Sequence, residues 1–94
     1  MSKIEMITKN KDLVFDSFKP NIINSFTTSP IVTIYNKPTD YPNYYVARLF
    51  DKDKPTKAIM LKETLEELRK GIPIYMIRMS RSATDDRNIV ESYI

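Results

Sequence analysis

The chain has no cysteine, no histidine and a single glycine among its 94 residues. Without cysteine there is no disulfide, no thiolate metal site and no cysteine nucleophile. Without histidine the usual general base and the usual zinc ligand are missing. One glycine excludes a glycine-rich phosphate loop. No apolar run is long enough for a signal peptide or a membrane span, so the cytoplasm is the expected setting and no membrane partner is expected. An excess of one charge is also lacking: 15 Lys and Arg stand against 12 Asp and Glu, a net charge of +3. That is a mild basic tilt, concentrated in the middle third, and not the dense stripe of a dedicated nucleic-acid binder.

What is present is enough apolar text to fold, 41% of the residues. The length bounds the count at one domain, with a small core. Residues 1–30 show no clean period and read as an extension. Leu13, Val14, Phe15 and Phe18 suit one side of a short helix over 11–19, stopped by Pro20. Ile22, Ile23 and Phe26 suit a second short turn, and "TTSP" a linker. These apolar groups are too many to leave in water. They fold back over an open sheet face or dock a partner.

From Ile31 the text becomes regular, and residues 31–94 read as one α+β domain. "IVTIY" is β-branched and aromatic, a strand. "NKPTDYPN" is a turn-rich loop with two prolines. "YYVARLF" is a second strand, with Tyr45, Ala47 and Leu49 on one face and Tyr44, Val46, Arg48 and Phe50 on the other. "DKDKP" is a hairpin connection and "TKAIML" a third strand. "TLEELRKG" carries a capping box, Thr64 with Glu67 three residues on. Its acids sit at the start, its Arg69 and Lys70 at the end, and Gly71 suits a left-handed terminating residue. "IPIYMIRM" alternates as a fourth strand or extended segment, "SRSATDD" is a loop, and "NIVESYI" is a last strand. The predicted fold is a small antiparallel sheet of order β-β-β-α-β-β with one short helix on a face.

The motifs "IYNKPTDYPNYYVARLF", "TLEELRKGIP", "MIRMSR" and "DDRNIVESYI" resemble a set of short bacterial proteins. These share a Pro-Asp-Tyr-Pro turn, a Tyr-Val-Ala-Arg strand, a Leu-Glu-Glu helix and an Asp-Asp…Ile-Val-Glu final strand. The resemblance spans Ile31 to Ile94. That set carries no established activity, so it transfers no catalytic residue. Its members begin near the position of Ile31, which sets residues 1–30 apart. A looser likeness, in element order, is to HicB-type antitoxins.

Four groups of residues are candidates for function. Tyr41, Tyr44 and Arg48 form a recognition surface or, more plainly, belong to a rigid turn whose tyrosines cover a thin core. Arg48, Arg69, Lys70, Arg78 and Arg81 form one basic face suited to single-stranded nucleic acid, or Arg78 and Arg81 pair with Asp85, Asp86 or Glu91. Asp85 and Asp86 with Glu91, or Asp51 with Asp53, are oxygen ligands for a divalent cation or, more ordinarily, turn caps. The apolar groups of residues 1–30 are the fourth. The reading adopted is a small non-enzymatic regulator or inhibitor, of phage or mobile-element origin, binding another protein. It has no catalytic residue, metal or cofactor. Tyr41, Tyr44, Arg48, Arg78 and Arg81 are its expected contacts, and a second copy of the chain is an allowed partner. The rival is a nucleic-acid-binding, antitoxin-like protein using a basic, tyrosine-containing face.

Overall fold

The computed structural model describes residues 4–82 and 86–94. It places the N-terminal segment inside the fold. β1 (Ile4–Ile7) and β2 (Leu13–Phe15) form a hairpin, and α1 (Pro20–Phe26) follows. β3 (Pro30–Asn36), β4 (Tyr45–Asp51) and β5 (Lys54–Lys62) form an antiparallel meander. Then come α2 (Leu65–Lys70), β6 (Arg78–Ser80) and β7 (Ile89–Tyr93). All seven strands make one sheet, in the order β1-β2-β5-β4-β3-β7-β6.

The fold is α+β as expected, but the sheet differs from the prediction in two ways. It has seven strands, two of them from residues 1–30. It is mixed, because β2 runs parallel to β5, Leu13 against Ala58 and Val14 against Ile59. The helix predicted over 11–19 is the strand β2 with its flanking turns. Val14, Phe15 and Phe18 are buried. Leu13 and Phe15 pack into the main core, whereas Val14 joins a separate cluster on the other side of the sheet. Three consecutive apolar residues therefore mark a strand covered on both faces, a run that periodicity alone does not separate from a helix. Pro20 opens α1 instead of stopping an earlier helix, since its missing N–H and fixed φ suit a first helical turn.

The main core lies between the sheet and the two helices. Val32, Ile34, Ala47, Leu49, Ala58, Met60 and Phe15 line the sheet side, and Ile23 of α1 and Leu68 of α2 close over them. Phe15 and Phe26 meet edge to face at 6.0 Å. Phe18 N–H donates to the Gly71 carbonyl at 2.8 Å, tying the N-terminal segment to the end of α2. The second cluster, Val14, Tyr41, Val46 and Ile59, sits on the opposite face under the loop joining β3 to β4.

The cap of α2 forms as predicted at its first half. Glu67 N–H donates to Thr64 Oγ1 at 3.2 Å, and the Thr64 hydroxyl donates to Glu67 Oε1 at 3.0 Å. Gly71 does not take a left-handed conformation; its φ is −84°. The position is crowded for another reason: a Cβ there would run into Sδ of the buried Met60, whose side chain would have to shift. The predicted fourth strand over 72–79 is also shortened. The chain turns after Pro73, whose carbonyl accepts from Met76 N–H at 3.1 Å, and Met76 plugs into the core. Only Arg78–Ser80 pairs as a strand.

Candidate interaction surface

Strand register fixes which side chains share a face. Thr33 pairs with Arg48, and Arg48 with Ile59, placing Arg48 on the face away from the helices. Arg78 pairs with Tyr93, a member of the main core, so it lies on the helix face. The strands β3 and β7 also separate β4 from β6, a gap of roughly 14 Å at the usual strand spacing. The arginines grouped in the sequence reading therefore lie on opposite faces.

Two of the five predicted contact residues are engaged inside the protein. Asp12 is buried and accepts from Arg48 NH1 at 3.0 Å, from Arg48 NH2 at 2.9 Å and from the Tyr41 hydroxyl at 2.6 Å. Arg48 NH1 also donates to the Thr56 carbonyl at 2.7 Å, and the Tyr41 hydroxyl lies 2.9 Å from Thr8 Oγ1. Side-chain exposure is 17% for Arg48 and 4% for Asp12. Burial works against the Asp12 carboxylate, but the hydrogen bonds from Arg48 and Tyr41 and the Arg48 charge outweigh it and hold its pKa below the ordinary value. Burial and the Asp12 carboxylate push the Tyr41 pKa up. Tyr41 is thus a buried lid on the second cluster, with its hydroxyl turned to Asp12 and Thr8. Arg48 pins the β1–β2 hairpin to the sheet.

A second trio, again an arginine and a tyrosine on one carboxylate, occupies the helix face. Arg69 of α2 grips Glu91 through Nε at 3.0 Å and NH2 at 2.8 Å, and the Tyr93 hydroxyl donates to Glu91 Oε2 at 2.7 Å. The Arg69 hydrogen bonds lower the Glu91 pKa in spite of its burial. Burial and the Glu91 carboxylate push Tyr93 up to about 12. The partner expected for Glu91, Arg78 or Arg81, is replaced by Arg69. Arg81 Nε donates to the Asp86 carbonyl at 3.5 Å.

Among the described residues no group of three or more acidic side chains is placed to hold a metal. Asp51 accepts from the Thr27 hydroxyl at 2.7 Å, and Asp85 lies outside the described residues. A cleft of about 110 Å³ lies between Tyr35, Pro38, Asp40, Tyr41, Val46 and Arg48. A larger and more open cleft of about 320 Å³ lies between Asp16, Ser17, Lys62, Glu67, Lys70 and Gly71.

Both edges of the sheet expose apolar side chains: Ile4, Met6 and Ile7 on β1, and a longer series along β6. Ile74 is 102% exposed, Ile77 63% and Met79 46%, and Tyr75 and Ile94 are exposed beside them. Ile77 and Ile94 exchange two backbone hydrogen bonds, of 2.7 and 2.9 Å, so their side chains emerge together. Arg78 and Arg81, both exposed, border this apolar band, whereas the exposed Tyr44 lies in the loop just before β4. The sequence reading missed Ile74, Tyr75, Ile77 and Ile94. Their alternating pattern resembles that of a half-buried strand, and only the sheet order reveals that no described residue covers them. No helix among the described residues is long and apolar enough to cross a membrane. No protein-family model, curated protein or solved structure matches the chain at a significant level.

Proposed function

We propose that this protein is a small non-enzymatic binding module that docks another protein along the β6 edge and regulates or inhibits it. The observation that carries this reading is the apolar band of Ile74, Tyr75, Ile77, Met79 and Ile94 beside an edge strand. Contiguous exposed apolar surface rimmed by charge is the mark of a docking surface. The two buried carboxylates support the non-enzymatic part, because Asp12 is paired with Arg48 and Glu91 with Arg69. The likeness to short bacterial proteins, and the size of the chain, fit a regulator carried by a phage or mobile element. The rival reading, nucleic-acid binding on a basic face with tyrosines, has less support once Arg48 and Arg78 are on opposite faces and Tyr41 is buried.

Affinity capture from bacterial lysate tests the proposal, run with nuclease at moderate salt against the Tyr75→Ser/Ile77→Ser variant. Both residues are exposed, so the variant keeps the core. A protein held by the native chain and lost by the variant supports docking at this edge. Retention that vanishes with nuclease, or that is indifferent to the variant, refutes it.

A further inference from the structure

The open edge of β6 has a fixed reading frame. Ile77 and Ile94 exchange both backbone hydrogen bonds. Such pairs alternate along an antiparallel ladder with pairs that exchange none. Arg78 and Ser80, opposite Tyr93 and Glu91, therefore direct their N–H and C=O groups away from β7, to the open side. Their side chains lie on the helix face, and those of Ile77 and Met79 on the other.

The two edges of the sheet differ. β1 is interrupted by a register shift between Ile4 and Met6 and carries Glu5 there, two features that discourage a further strand. β6 runs in unbroken register with β7, and no proline or acid falls between Ile74 and Ser82. The charge next to this edge is positive. The exposed Arg78 side chain makes no ion pair or hydrogen bond among the described residues; its charge acts on Glu91 from a distance, and Glu91 is gripped by Arg69.

We infer that β6 accepts an extended segment of another protein as an eighth strand. The segment carries an acidic residue opposite Arg78, flanked by apolar residues that pack on Ile77 and Met79. This deepens the docking reading above and rests on it. Main-chain hydrogen bonds at Arg78 and Ser80 supply the attachment, and the alternation of Arg78 with Ile77 and Met79 supplies the selectivity. A second copy of β6 fits less well. Antiparallel pairing about Met79 would set Arg78 against the partner copy's serine, gathering guanidinium groups with no acid between them.

Fluorescence anisotropy on the full chain, with labelled Ser-Val-Ser-Val-Glu-Val-Ser-Val-Ser and its central-Lys counterpart, tests this. The Glu peptide is expected to bind roughly threefold to tenfold tighter, and Arg78→Glu to invert the preference. Ser80→Pro, which removes an outward N–H and no ladder bond, abolishes binding. An N-methylated Glu peptide does the same without altering the protein. Equal binding of both peptides, or a preference untouched by Arg78→Glu, overturns the inference. So does binding that survives N-methylation, or a dimer seen by sedimentation that Ser80→Pro dissolves. If no peptide binds while a captured protein still depends on Tyr75 and Ile77, strand addition is wrong and docking stands. If neither peptide nor protein depends on the edge, both fall.

Discussion

Replacing Asp12 with alanine removes the acceptor of three hydrogen bonds, at 2.6, 2.9 and 3.0 Å, from two side chains on different elements. Tyr41 keeps Thr8 as a neighbour, and Arg48 NH1 keeps the Thr56 carbonyl. The Arg48 NH2 group loses its acceptor within a site where the guanidinium is mostly covered. Deleting one partner of a buried ion pair costs about 3–5 kcal/mol. The partial exposure of Arg48 and its remaining carbonyl move the expected loss to the lower end, about 3 kcal/mol. For a chain of this size that corresponds to a fall in Tm of roughly 12–24 °C. Urea unfolding followed by circular dichroism measures it directly. Arg48→Met should show a comparable loss, and the double variant much less than the sum, because two residues of one network are not independent. The effect also depends on pH. The folded carboxylate has its pKa lowered, so its stabilisation is present at neutral pH and fades as pH falls through about 4 and below. Native and Asp12→Ala curves should converge in acid. A loss under about 1 kcal/mol, additive single variants, or curves that stay parallel into acid would refute the latch described for Arg48.

Three further outcomes are open to simple measurement. Gly71→Ala should destabilise the fold by about 1–3 kcal/mol through displacement of Met60, and a neutral result in the same unfolding assay would show that Met60 repacks freely. Tyr93 has its folded pKa raised to about 12, so its contribution holds below pH 10 and is lost as pH rises toward 12; Tyr93→Phe should flatten that alkaline limb. Removing residues 1–30 strips Phe15, Phe18 and Ile23 from the core, at about 2–5 kcal/mol for each such side chain, which together approaches or exceeds the whole stability of a small domain. The truncated chain should lack a cooperative unfolding transition, and a sharp one would show that residues 31–94 fold alone.

The parts legible in the sequence are those governed by neighbours a few residues away. The alternation of Tyr45, Ala47 and Leu49 against Val46, Arg48 and Phe50 gave the correct faces of β4, because successive side chains of a strand point to opposite faces whatever covers them. Thr64 and Glu67 marked the start of α2, because a cap is a local hydrogen bond. The rest depends on distant pairing. Nothing near Arg48 announces Asp12, 36 positions away, and a carboxylate beside Lys11 in an irregular segment reads as surface. Leu13–Phe15 looked helical because both of its faces are covered, one by α1 and one by Tyr41. The β6 edge was hidden for the opposite reason. Its apolar residues alternate as if a neighbour covered them, and only the position of β6 at the end of the sheet shows that none does.

The parallel pairing of β2 with β5 sets a timetable for synthesis. Leu13 leaves the ribosome long before Ala58, its partner in the sheet. At typical elongation rates of 5–20 residues per second the interval is roughly 2–9 s. Throughout it Phe15, Phe18 and Ile23 have no sheet to pack against, although they end among the most deeply buried side chains in the protein. The nascent chain therefore presents its most adhesive segment first and shelters it last. The speed with which β3, β4 and β5 assemble sets how long that segment stays available to chaperones or to other nascent chains.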